Sequence, residues 1–146
     1  GSYSDRRYIA FIMQPAADTN LVDFLQQCTP AEYPTLSRLF GCLTSAIHYL
    51  HGKYVRHRDI FSQNVLVHNG EVKLTDFGNS YNWSTSNKRT TRDRIPINEE
   101  YAAPEVARGI LKNEYSDLWS LGVVFLEMAT TLLGKTKAEF DEFLRD

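Results

Sequence analysis

The stretch HRDIFSQN, His57 to Asn64, sets an acid and an amide five residues apart with no lysine between them. Side chains of these types could help to move a phosphate, and the missing cation puts that chemistry in question. A further acid stands in Asp76-Phe77-Gly78, and Ala103-Pro104-Glu105 follows later. Matches this short occur in many proteins, so their order and the elements between them must carry the weight. His48 and His51 stand three apart on a long helical pattern, but no third ligand follows at suitable spacing, and no metal site is read there.

The elements that hold these residues are legible as patterns. "VLVHNGEVKL" places Asn69-Gly70 between two strand-like runs, the strongest short hairpin signal, because both turn residues need positive φ. Before the loop, Leu36, Leu39, Phe40, Leu43, Ala46, Ile47 and Leu50 recur at helical spacing after Pro34, with Gly52 expected as the left-handed stop. The opening "YIAFIM" reads as half a hairpin, and "QPAADTN" breaks it. Asp18 or Asn20 can cap a short helix whose apolar face holds Leu21, Phe24, Leu25 and Cys28.

Thr75 to Asn98 is polar and aperiodic, which predicts a long mobile segment of the kind that is functional or disordered. "SDLWSLGVVFLEMATTLLG" leaves no polar stripe from Leu118 to Met128, so a central helix capped by Ser116 is expected. Thr136 with Glu139 forms a capping box for a final amphipathic helix bearing Phe140, Phe143 and Leu144. These patterns predict a mainly α fold with small β-hairpins, of the α+β class.

At 146 residues and 42% apolar composition, the chain is of single-domain size and can bury a core. A net charge of -2 with mixed signs offers no basic stripe, so no nucleic-acid partner is expected. No run approaches the roughly 20 apolar residues of a membrane span, and no signal-peptide pattern opens the chain, so the reading is soluble, intracellular and without a membrane partner. Cys28 and Cys42 read as buried, inert thiols of a reduced compartment. Asn82-Trp83-Ser84 matches a glycosylation acceptor and, without a secretory signal, is given no role.

The order of the motifs is the signal. His57-Arg58-Asp59 with Asn64, a hairpin, Asp76-Phe77-Gly78, a polar loop, Tyr101-Ala102-Ala103-Pro104-Glu105, and Asp117-Leu118-Trp119-Ser120-Leu121-Gly122 succeed one another as in protein kinases. The chain resembles the C-terminal lobe of a eukaryotic-type protein kinase domain, incomplete at both ends. Its opening residues look like a filamentous-fungal serine/threonine kinase subfamily. The resemblance implies that residues 1–13 end the small lobe, 14–20 form the hinge, and 21–146 form the large lobe without its last helices. The Gly-rich loop, the strand lysine and its helix glutamate partner are absent from the sequence.

The resemblance also implies roles, with ATP and Mg²⁺ as cofactors and a protein as substrate. Asp59 matches the carboxylate that receives the substrate proton, and Asn64 and Asp76 match the two Mg²⁺ ligands, hard oxygen donors suited to that ion. Met13 falls at the gatekeeper position, Gln14 and Ala16 at the backbone positions that recognise adenine, and Leu66 beneath the base. His57 is expected to pack against Phe77, beside Gly78. Asp117 is expected to hydrogen-bond the backbone around His57 and Arg58, while Glu105 lacks its family arginine partner. Arg58 would dock a phosphate carried on Ser84, Thr85, Thr90 or Thr91.

The loop departs from the family at two positions. Phe61 stands where lysine is usual, and Asn98 where a threonine would bond both that lysine and the catalytic acid. If the lost cation costs as much as an oxyanion-hole donor, the rate falls on the order of 10²–10³-fold, or about 3–4 kcal/mol. The expectation is a serine/threonine-type kinase whose activity is weak or absent in this segment alone. The alternative is a pseudokinase or kinase-like protein-binding module.

Overall fold

The computed structural model describes residues 1–11, 14–84, 97–109 and 113–143. In chain order the elements are β1 (Ser2–Ser4), β2 (Ile9–Phe11), β3 (Thr19–Asn20), α1 (Leu21–Gln27), α2 (Tyr33–Gly52), β4 (Val55–Arg56), β5 (Val65–His68), β6 (Glu71–Leu74), β7 (Tyr81–Asn82), α3 (Pro104–Ala107), α4 (Glu114–Leu132) and α5 (Lys137–Phe143). Short 3₁₀ turns at Pro30–Glu32, Ser62–Asn64 and Phe77–Asn79 connect them.

The opening is a whole hairpin. Ser2–Ser4 pairs antiparallel with Ile9–Phe11, and the Asp5 carboxylate accepts from the N–H groups of Arg7 (2.7 Å) and Tyr8 (2.8 Å) in the turn. Sequence reading found only its second strand, because Ser-Tyr-Ser carries no apolar alternation. Asn20 caps α1 by accepting from the Asp23 N–H at 2.9 Å. The three-stranded sheet runs β3-β5-β6, with Asn69 (φ 51°) and Gly70 (φ 70°) both left-handed in the β5–β6 turn. A methyl group at Gly70 would lie 2.8 Å from the Arg38 guanidinium, which donates to the Gly70 carbonyl.

Helix α2 buries Leu36, Leu39, Leu43 and Ile47 on one face, against Val65 and Val67 of β5 and Leu121, Val124 and Met128 of α4. Its exit differs from expectation. Gly52 is the last helical residue, and the left-handed position falls on Tyr54 (φ 60°), whose ring meets Trp83 edge-on at 6.1 Å. The aromatic contact, made by a residue distant in sequence, steadies a conformation that costs a β-carbon-bearing residue about 1–3 kcal/mol.

Two further expectations are corrected. Helix α4 is capped by Asn113, whose side chain accepts from the Tyr115 N–H at 3.0 Å, and Ser116 lies inside the helix. The helix is also not enclosed on every side: Leu118, Trp119 and Leu126 are 45, 50 and 52% exposed, because the packing of α2 and α5 covers one face. Of the polar stretch expected to be mobile, Tyr81–Asn82 forms β7, antiparallel to β4, and residues 85–96 lie outside the described residues. The Thr136–Glu139 box forms, with the Thr136 N–H donating to Glu139 at 2.8 Å and the Glu139 N–H to Thr136 at 3.2 Å. Among the described residues, no single helix is long and apolar enough to cross a membrane.

Candidate functional site

The loop from His57 to Asn64 hangs from one buried acid on α4. Asp117, 2% exposed, accepts from the His57 N–H (2.9 Å) on Oδ2 and from the Arg58 N–H (2.8 Å) on Oδ1. His51 of α2 adds a third bond, Nε2 to Oδ2 at 2.9 Å. These bonds hold Arg58 left-handed at φ 67°. The His57 ring is fully buried, packs tilted against Phe77 with ring centres 4.7 Å apart, and donates from Nε2 to the Thr75 carbonyl at 2.9 Å. A carbonyl only accepts, so the proton sits on Nε2.

Asn64 joins the two loops. Its side-chain N–H donates to the Asp59 carbonyl (2.9 Å), and its own carbonyl accepts from the Thr75 N–H (3.0 Å). Asp76 follows directly in a left-handed conformation (φ 59°), with Oδ1 accepting from the Gly78 N–H at 3.2 Å. The turn then brings Asn79 back, so that its side-chain N–H donates to Asp59 Oδ2 at 3.1 Å. Asp59 and Asn64 are therefore bonded to each other, and the bonds from Thr75 and Asn79 tie their loop to the turn that Asp76 begins.

The donor chemistry suits a hard divalent cation. The nitrogen of Asn64 is spent on Asp59, which leaves its amide oxygen as the free end, and Asp76 is an exposed carboxylate with one oxygen uncommitted to Gly78. Carboxylate and carbonyl oxygens are the ligands such ions take. Among the described residues there is no group of three or more His, Cys, Asp or Glu placed to hold a metal.

The remaining candidates are placed as follows. Leu66 is half-buried on β5, opposite in phase to the buried Val65 and Val67, and pairs with Asn20 and Lys73. Gln14 and Ala16 are exposed just before β3, and Met13 lies outside the described residues. Ser84 is exposed, while Thr85, Thr90 and Thr91 lie outside the described residues. Arg58 stacks over the Tyr81 ring at 5.5 Å and donates from Nε to the Asn79 carbonyl. Glu105 accepts from the Ser116 hydroxyl at 3.2 Å.

Where the usual cation is missing, the structure has an aromatic contact. The Phe61 ring lies 5.8 Å from that of Tyr101, and the Asn98 carbonyl accepts from the Tyr101 N–H at 3.1 Å. Tyr101 donates to Glu127 Oε1 at 2.7 Å, and Ser62 donates to the other carboxylate oxygen. Lys137 of α5 closes the group, 3.0 Å from Glu127 and also paired with Glu100 and Asp141. Burial, then the bond to Glu127, pushes the Tyr101 phenol far above its usual range. Burial alone would lower Lys137, but its bonds to Glu100 and Glu127 more than offset this and raise it.

An open pocket of about 40 Å³ is lined by Asp59, Asn98, Tyr101 and Ser120 together with their neighbours. Sequence reading missed Asn79, Tyr101, Glu127 and Lys137 as partners of the loop. Glu127 left a signal, since an acid inside an otherwise apolar helical run needs donors.

Comparison with known proteins places this geometry in context. The family model described as a protein kinase domain matches residues 1–141. Aurora kinase A-A of Xenopus laevis is 34% identical over 142 residues, covering 97% of this chain and 33% of that protein. Aurora kinase of Schizosaccharomyces pombe is 36% identical over 131 residues, 87% of this chain and 35% of that one. Mitogen-activated protein kinase kinase 2 of Arabidopsis thaliana is 34% identical over 131 residues, 88% and 36% respectively. The chain thus spans about a third of the length of the curated relatives it matches.

Proposed function

Because the chain belongs to the protein kinase family, we propose that it forms part of a domain that transfers a phosphoryl group from ATP to serine or threonine of a protein. The observation that supports this reading is the bonded pair of Asp59 and Asn64, tied to the core through Asp117 and joined through Thr75 and Asn79 to the turn that Asp76 begins. In this reading, Asp59 takes the proton of the acceptor hydroxyl. The Asn64 oxygen and the Asp76 carboxylate would hold Mg²⁺, which would offset charge on the phosphate oxygens. Gln14 and Ala16 would meet the adenine through their backbone and Leu66 would pack beneath it, while Met13, read as the gatekeeper, lies outside the described residues.

The same reading divides the chain into the end of a small lobe (1–13), a hinge (14–20) and a large lobe (21–146), and keeps the filamentous-fungal affiliation suggested by the opening residues. Arg58 is the dock for a phosphate on Ser84, Thr85, Thr90 or Thr91. Phe61 favours a second reading, a pseudokinase or kinase-like binding module, because its ring packs on Tyr101 and brings no charge toward Asp59. The two separate in one assay of the full-length natural protein with Mg²⁺ and labelled ATP. Phosphotransfer lost in Asp59→Asn supports the enzyme; no turnover, with nucleotide-independent capture of a partner, supports the module.

A further inference from the structure

We infer that Asn79 is a positioning residue, whose side-chain amide orients the Asp59 carboxylate in a loop that lacks its cation. The inference rests on the phosphotransfer reading above and deepens it. Its basis is the 3.1 Å bond from the Asn79 side-chain N–H to Asp59 Oδ2.

The approach is built at several points. Left-handed Asp76 starts the Phe77–Asn79 turn, and its Oδ1 accepts from the Gly78 N–H. The Ser80 N–H closes the turn onto the Phe77 carbonyl at 3.0 Å. The Asn79 carbonyl accepts from Nε of Arg58, the residue next to Asp59. Asn79 is therefore joined to adjacent residues of the other loop twice, once through its backbone and once through its side chain.

A carboxylate with no donor is free to turn about its Cβ–Cγ bond. One N–H on Oδ2 fixes its plane and leaves Oδ1 for the hydroxyl that must be deprotonated. Phe61 has no donor to offer, and its ring is directed to Tyr101. The amide is neutral, so it orients without supplying the charge a lysine would add at the transition state. Asn79 thus answers the geometric half of the lysine's task and leaves the electrostatic half undone. Lysine restored at position 61 would make Asn79 dispensable.

The test uses the full-length natural protein, Mg²⁺–ATP and dephosphorylated casein as acceptor. Asn79→Ala is expected to lower kcat about ten- to a hundredfold, the worth of one hydrogen bond to a charged acceptor, with KM for ATP unchanged. In a Phe61→Lys background the same change is expected to cost little. Equal losses in both backgrounds, or an unaltered kcat in Asn79→Ala while Asp59→Asn abolishes turnover, would overturn the inference and leave the kinase reading intact. Turnover indifferent to Asp59 would instead overturn the kinase reading. The contact itself is then read by NMR: the Asn79 side-chain NH₂ resonances should move toward free-amide positions in Asp59→Ala. Resonances that stay in place overturn it.

Discussion

Replacing Asp117 by alanine should unfasten the loop from its helix, and the structure sets the size of the loss. The carboxylate, 2% exposed, receives the His57 and Arg58 N–H groups and the His51 imidazole. A hydrogen bond to a charged acceptor contributes about 1.5–3 kcal/mol, and bonds that share one acceptor do not simply add. Relaxation of left-handed Arg58 returns about 1–3 kcal/mol of strain. The expected net loss is about 3–5 kcal/mol, a large part of a total stability of about 5–15 kcal/mol. Asp117→Asn, which keeps one acceptor oxygen, should lose about half as much and folds if the alanine variant does not. Urea unfolding gives the free energy, and hydrogen exchange at the His57 and Arg58 amides localises it. A loss under about 1 kcal/mol with unchanged exchange would refute the reasoning.

Other outcomes follow from the same network. Phe61→Lys with Asn98→Thr should raise phosphotransfer by more than the product of the single changes, because the two side chains would form one contact; simple additivity counts against it. Tyr101→Phe should cost about 1–2 kcal/mol in urea unfolding, and Glu127→Gln about 2–4, since Ser62, Tyr101 and Lys137 all depend on that buried carboxylate. The bond to Lys135, then the Thr136 N–H, holds Glu139 down to about 2. Its stabilising effect is present above the unfolded value of 4.5 and is lost as pH falls from there through about 2. A carboxyl NMR titration placing Glu139 near 4.5 would exclude that assignment.

Local chemistry was readable wherever cause and effect lie within a few residues. Asn69-Gly70 supplies two neighbouring residue types that accept positive φ, and the Asn20 cap and the Thr136–Glu139 box each consist of neighbours whose side chains satisfy their own backbone. Errors arose where a distant partner decides. Tyr54 rather than Gly52 goes left-handed, held against Trp83. Tyr81 and Asn82 become a strand only because Val55 and Arg56 lie alongside them. Asn113 outcompetes Ser116 as the α4 cap because it lies just ahead of Glu114 and bonds the Tyr115 N–H, which a run of helical periodicity does not reveal. The motif order was legible in the sequence, but Asn79 and Glu127 acquire their meaning from contacts twenty or more residues away.

The central claim is that Asp59, Asn64 and Asp76 serve one metal–triphosphate site. It is tested most directly with Mn²⁺ and a non-hydrolysable ATP analogue bound to the full-length natural protein, by reading paramagnetic broadening of side-chain resonances. The account predicts broadening at all three residues, weakened by Asn64→Ala and by Asp76→Ala. Broadening centred elsewhere, or sparing any of the three, would contradict it.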